Sequence, residues 1–177
     1  TILNTLTGPY TTYSKTKEPL PFDSSAKELI RNMVHSMLYQ SGPYFGGFNI
    51  GDGYDTYDSD TQYVYDTWYN ICFKDDPSIT YMATDGASGS MPENPTTHYP
   101  AGLRTYMRSD WSQNALAMSF TNKMTGSHGH KDALSITMFA YGKYLLTDQG
   151  YGGVQTGNSW YYMKSPQQHN LVTVNDS

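Results

Sequence analysis

The sequence predicts a mainly β protein, an antiparallel β-sandwich preceded by a short helical segment. Three observations predict it. Up to Asp76 the apolar residues recur at helical spacing. Beyond Pro77 they fall into short β-compatible runs separated by turn residues, and one of those runs alternates strictly between two faces. The expected division is a helical segment over residues 1–76 and a sandwich over 77–177.

The first twenty residues, with Gly8-Pro9 and Pro19-Leu20-Pro21, read as irregular structure. Ser25-Ala26-Lys27-Glu28 then fits a capping box. Ala26, Leu29, Ile30, Met33, Val34, Met37 and Leu38 follow as one continuous helical stripe. Residues 41–60 read as a loop. A second helix is expected from Ser59, with Gln62 as its capping partner and a stripe of Tyr63, Val64, Thr67, Trp68, Ile71 and Cys72. The expected β runs are Ile79–Thr84, Leu103–Ser109, Ala115–Phe120, Leu134–Ala140, Tyr144–Asp148 and Asn170–Val174. In the clearest, Leu134, Ile136, Met138 and Ala140 lie on one face and Ser135, Thr137 and Phe139 on the other. Tyr141-Gly142 turns it back as a hairpin. The helices look like the tail of a larger helical layer, and the last run stops in mid-pattern, so both ends look cut.

Composition narrows the function classes. Only 37% of residues are hydrophobic, and 17 of the 177 are Tyr. A low aliphatic content can signal disorder, but here only 15% of residues are charged and the net charge is −5, while tyrosines supply large buriable surfaces with a polar tip. No apolar run approaches the ~18 residues of a membrane span, and no signal-peptide pattern opens the chain. The single Cys72 excludes an internal disulfide and a Cys-rich zinc module. An acidic chain without a Lys/Arg run is no nucleic-acid binder. Residues 101–143 are locally basic, with Arg104, Arg108, Lys123, Lys131 and Lys143 against two acidic residues. That excess reads either as ordinary surface or as part of a site for an anionic ligand.

The densest group of ligands and proton carriers is His128-Gly129-His130-Lys131-Asp132. In an extended segment His128 and His130 share a face. Two His and one Asp suit Zn²⁺, with Asp132 or a backbone carbonyl holding the other ring nitrogen. The same histidines also suit hydrogen bonding to hydroxyls and carbonyls. Spacing alone leaves both readings open, since the turn at Tyr141-Gly142 sets Asp148 opposite Ser135 rather than His130. His35 reads as a surface or helix-contact group, His98 as structural, and Trp160-Tyr161-Tyr162 as a sugar platform or core.

Four stretches in order raise a more specific expectation: Pro100–Trp111 with Met107-Arg108-Ser109, Gly126–Asp132 with its H-x-H-x-D, Tyr141–Gly150 ending in D-x-G, and His169-Asn170. Together they resemble the heparinase II/III-like polysaccharide lyases, which join an α/α toroid to an antiparallel β-sandwich. The resemblance implies that His130, Asp148 and His169 are zinc ligands and that His128 is a catalytic residue at the cleft. It implies β-elimination at a uronic acid of an anionic polysaccharide and a secreted or periplasmic location. The family's Tyr acid/base lies on upstream helices, so none of the 17 Tyr takes that role here. Two other readings are a non-catalytic glycan-binding sandwich and a uronyl C5-epimerase. A hydrolase using zinc-bound water is disfavoured, because no HExxH is present.

Overall fold

The computed structural model describes residues 23–41, 48, 59–122, 130–148, 150 and 158–174, with backbone alone for 59–64 and 158–160. Internal contacts group residues 1–38 with 58–93, and residues 39–57 with 94–177.

The first unit is helical. Helix α1 spans Ser24–Gln40, running into the second unit at Tyr39, and α2 spans Ser59–Ile71. The cap of α1 is Asp23, whose Oδ1 accepts from Ala26 N at 2.8 Å, two residues ahead of the expected Ser25 box. A carboxylate there also complements the positive end of the helix dipole. Ile30, Val34 and Leu38 are buried, while Leu29 is 64% exposed, so the working stripe is narrower than the apolar one. In α2 the buried anchors are Tyr65 and Trp68, the latter against Phe73.

Residues 79–84, expected as a strand, instead belong to a helix, α3 (Pro77–Ala83). Asp76 caps it through Oδ1, which accepts from Ser78 N and Ile79 N at 3.1 Å each, and Pro77 occupies the first turn, where its missing N–H is no loss. This Asp-Pro step outweighs the β propensity of Ile79 and Thr80. The other oxygen, Oδ2, accepts from Arg31 Nη1 at 3.1 Å and meets His35 Nε2 at 2.8 Å, so His35 is a helix-contact group. Burial pushes the Asp76 carboxyl up. The His35 hydrogen bond, the Ile79 N–H and the charges of His35 and Arg31 outweigh that and hold it at about 2.

The second unit is built on a five-stranded antiparallel sheet in simple meander order, β1 (Thr97–Tyr99), β2 (Arg104–Arg108), β3 (Ala117–Thr121), β4 (Ser135–Ala140) and β5 (Lys143–Leu146). Antiparallel β structure after a helical segment is thus the architecture of the described residues. The short β1 and a helix, α4 (Asn158–Met163), carry no clear periodicity and were not expected. The last expected strand is absent: Leu171 N returns to His169 O at 3.0 Å, a tight turn that prevents Asn170–Val174 from extending.

The alternation in β4 is as expected, but the covered face is the one bearing hydroxyls. Ser135, Thr137 and Phe139 are buried, whereas Ile136 and Met138 are half-buried. Ser119 and Thr121 of β3 share the covered face. Aromatic rings supply its apolar filling: Phe48, Tyr106 and Phe139 with Ala117, flanked by Tyr39, Tyr99 and Tyr144. Tyr141 (φ 54°) and Gly142 (φ 72°) form the β4–β5 turn, both in the left-handed region that a two-residue type I′ hairpin demands. Among the described residues, no helix is long and apolar enough to cross a membrane.

Candidate metal centre

Three separated stretches deliver the site. His130 precedes β4, Asp148 follows β5, and His169 ends the short 3₁₀ turn Pro166–Gln168. A one-residue bulge in β5, opposite the Met138–Phe139 step, sets Leu146 opposite Met138, which displaces Asp148 from the position that a regular hairpin would give it. The 130–132 segment enters β4 through a turn, with Ser135 N donating to Asp132 O at 3.0 Å. Lys131 N donates to Lys164 O at 2.9 Å, tying the same segment to the chain after α4.

Asn170 performs the final alignment. Its carbonyl accepts from Ile136 N at 3.0 Å, and its Nδ2 donates to Thr147 O at 2.9 Å. The residue beside His169 is thereby stitched to β4 and to the residue that precedes Asp148. The D-x-G motif has a similar local cause. Gly150 N donates to Asp148 Oδ1 at 3.0 Å, and Gly150 adopts φ 59°, a conformation that costs glycine little.

The result is a closed cluster. His130, Asp148 and His169 each offer a ligand atom, and the three atoms lie within 4.8 Å of one another. The residues are 3%, 3% and 8% exposed. His169 Nδ1 lies 2.6 Å from Asp148 Oδ2, and the His130 and His169 rings stand 5.1 Å apart. His169 Nε2 is buried without a hydrogen-bond partner. A buried nitrogen left in that state is expensive unless something absent from the protein atoms satisfies it. Two imidazoles, one carboxylate and an orphaned ring nitrogen fit a zinc-type ion.

The trio that offers ligand atoms does not include Asp132, which the sequence offered as a holder of a ring nitrogen. Asp132 is 2% exposed, and its Oδ1 is buried without a partner. Burial pushes its carboxyl up, and nearby Asp148 adds to the rise while its own backbone, His169 and His130 oppose it. His128 and Lys123 lie outside the described residues.

The remaining candidates resolve into local roles. Arg108 is held by the Ser41 carbonyl and lies 4.5 Å from the Trp111 ring centroid, which commits it to packing. His98 Nδ1 pairs with Thr105 Oγ1 across β1 and β2 at 2.9 Å. Tyr161 and Tyr162 on α4 are 71% and 59% exposed, so neither is a core residue. Burial, first among the causes, pushes the Tyr99 phenol up to about 12, with Tyr39 and Tyr106 adding to it; Tyr106 is raised chiefly by burial as well.

Residues 101–177 match the family model for the C-terminal domain of heparinase II/III-like proteins. Over that stretch the chain is similar to a heparinase II/III-like C-terminal domain. Solved structures agree on the fold of that domain and of the helices before it. Heparan sulfate lyase HepC from Pedobacter heparinus superposes with a TM-score of 0.84 at 21% identity, covering 95% of this chain and 27% of that one. Heparinase III, the BT4657 gene product, gives 0.80 at 23% identity, covering 88% of this chain and 25% of that one. Another heparinase III structure gives 0.76 at 18% identity, covering 92% and 28%. The chain spans about a quarter of the length of these structures. No curated protein matches the chain.

Proposed function

We propose that this chain supplies the sandwich side of a polysaccharide lyase active site, acting by β-elimination on a uronic-acid-containing anionic polysaccharide. The observation that carries the proposal is the meeting of His130, Asp148 and His169 in one buried cluster. The resemblance assigned metal ligation to those three residues, drawn from stretches far apart in the chain. The names of the similar structures, heparinase III and heparan sulfate lyase, favour an acidic glycosaminoglycan as the substrate class. Such a polymer belongs outside the cytoplasm, which accords with a secreted or periplasmic enzyme.

The proposed chemistry breaks the C4–O4 bond of the sugar without a nucleophile or water. The C5 proton becomes acidic enough to leave only when the adjacent carboxylate is neutralised by hydrogen bonds or cations. A base removes that proton, an acid protonates the departing O4, and a C4–C5 double bond remains. His128 is assigned to the cleft, where its imidazole neutralises charge or moves a proton. The acid/base group is assigned to another part of the complete enzyme. His130, Asp148 and His169 would hold the zinc. The ion would contribute structurally there, cross-linking the segments around β4, β5 and the 3₁₀ turn.

The test is to incubate the complete protein with heparin-, chondroitin- and alginate-type polymers and follow ultraviolet absorbance of the unsaturated uronate. Absorbance growth with one of these polymers is expected, and none with any acidic polymer removes the lyase reading. Epimerisation would leave chain length unchanged, which NMR of the product separates. A second reading, a non-catalytic glycan-binding surface, is favoured by the solvent-facing Tyr161 and Tyr162. It requires retained binding, no product and no effect of His128→Ala.

A further inference from the structure

The covered face of the sheet carries a positive charge that has no counterion among the described residues. Of the three arginines, Arg31 pairs with Asp76, and Arg108 is held by the Ser41 carbonyl beside the Trp111 ring. Arg104, half-buried at the start of β2, has no such contact among the described residues, and its Nε is buried without a hydrogen-bond partner. Two residues along the strand and on the same face, Tyr106 is 1% exposed, and its Oη is also buried without a partner. The phenol lies near enough to Arg104 to feel its charge, yet no hydrogen bond of ordinary geometry closes between them. Polar groups are costly to bury in that state unless a further group completes them.

The strand register sets hydroxyls beside both residues. Arg104 pairs with Thr121 and Thr121 with Ser135, while Tyr106 pairs with Ser119 and Ser119 with Thr137. All four hydroxyl residues are buried on this face. Across β2, β3 and β4 the two rows hold one guanidinium, one phenol and four hydroxyls, and no carboxylate. They also reach the end of the sheet from which the metal candidates come. His130 lies just ahead of Ser135, and Asp148 follows the last residue of β5 at that same end. Strand spacing puts Arg104 about 10 Å from Ser135.

We propose that Arg104 and Tyr106 form an anion-binding subsite on this face of the sheet, taking a carboxylate or sulfate group of the polysaccharide. A guanidinium presents forked N–H donors that match either group, and the Tyr106 hydroxyl donates to the same oxygens. The inference rests on the proposal that the substrate is an anionic polysaccharide, and not on its cleavage.

Calorimetric binding of size-defined oligosaccharides to the complete protein tests this, with an unsulfated uronate oligomer and a sulfated one as separate probes. Arg104→Met should weaken binding about 10–100-fold, the range for losing charge-assisted hydrogen bonds. Loss with both probes assigns the subsite to the carboxylate, and loss confined to the sulfated probe assigns it to sulfate. Arg104→Lys, which keeps the charge and removes the fork, should recover only part of the affinity. Tyr106→Phe should also weaken binding, while its melting temperature without ligand holds or rises, because a buried hydroxyl lacking a partner is gone. Lys143→Met, which removes a charge from the exposed start of β5, should bind as the wild type does. Wild-type affinity for both probes in Arg104→Met, or a loss no larger than that in Lys143→Met, would overturn the proposal and leave water as the partner of the buried atoms. If the wild type binds neither probe, the substrate class fails and the subsite with it. Binding without product removes the lyase reading alone, and weaker binding by Arg104→Met then still supports the subsite.

Discussion

His169 Nδ1 and Asp148 Oδ2 stand 2.6 Å apart, both buried, although 21 residues separate them in the chain. This contact fixes the orientation of the His169 ring and leaves Nε2 as its free corner. A carboxylate that holds one imidazole nitrogen while the other faces a metal is a common arrangement, because it sets the tautomer and raises ligand basicity. Removing Asp148 would take away the partner that orients the His169 ring as well as one of the three proposed ligands.

Loss of either imidazole is therefore expected to abolish stoichiometric zinc. His130→Ala and His169→Ala should each weaken affinity by more than the about 10–100-fold that follows loss of a supporting group. Metal analysis of purified protein and chelator competition are the measurements. Retention of one zinc per chain in both variants would show that the cluster is a hydrogen-bonded core.

His128→Ala should separate chemistry from metal. Its zinc content is expected to equal that of the wild type. In the complete enzyme, turnover should fall by about 10²–10⁴-fold, the range for losing a positioned proton-transfer group. Initial rates of unsaturated-uronate formation check this.

Two glycine substitutions make a matched pair. Gly142 (φ 72°) and Gly150 (φ 59°) both occupy the left-handed region, so Gly142→Ala and Gly150→Ala should each cost about 1 kcal/mol in denaturant unfolding. Only Gly150→Ala should also weaken zinc binding, since Gly150 N is a partner of Asp148. Equal zinc affinity in the two variants would separate the D-x-G turn from the metal.

The Asp76 cluster predicts an acid limit for the helical unit. Its folded carboxyl, held at about 2, lies below the ordinary unfolded value of ~3.9. The stabilisation is therefore complete above that unfolded value and is lost as pH falls towards 2, amounting to on the order of 2 kcal/mol. Asp76→Ala should remove it together with the α3 cap, a total of about 2–3 kcal/mol at neutral pH once the partial exposure of Arg31 and His35 is allowed for. Urea midpoints between pH 2 and 7 read both effects. An unchanged pH profile in Asp76→Ala would remove the carboxylate from the account.

Local chemistry made much of this molecule readable from the chain alone. The α1 stripe, the Ser59 start of α2, the alternation of β4 and the Tyr141-Gly142 hairpin all follow from periodicity and turn preference, which neighbours within a few residues decide. Where local signals competed, the short-range rule with the firmer hydrogen bonds prevailed. Asp76-Pro77 capped a helix over residues whose side chains favour strands, and the turn after His169 cancelled a β run.

The motifs marked His130, Asp148 and His169, but their convergence belongs to the folded chain. It depends on a one-residue bulge in β5, on the turn that joins Asp132 to Ser135, and on the Asn170 cross-links to Ile136 and Thr147. None of these has a sequence period, because each joins residues on different elements. Packing likewise chose the covered face: β4 turns Ser135 and Thr137 inwards because aromatic rings from other segments fill the space around them. Side-chain identity set the available chemistry, and long-range hydrogen bonding and burial brought its members together.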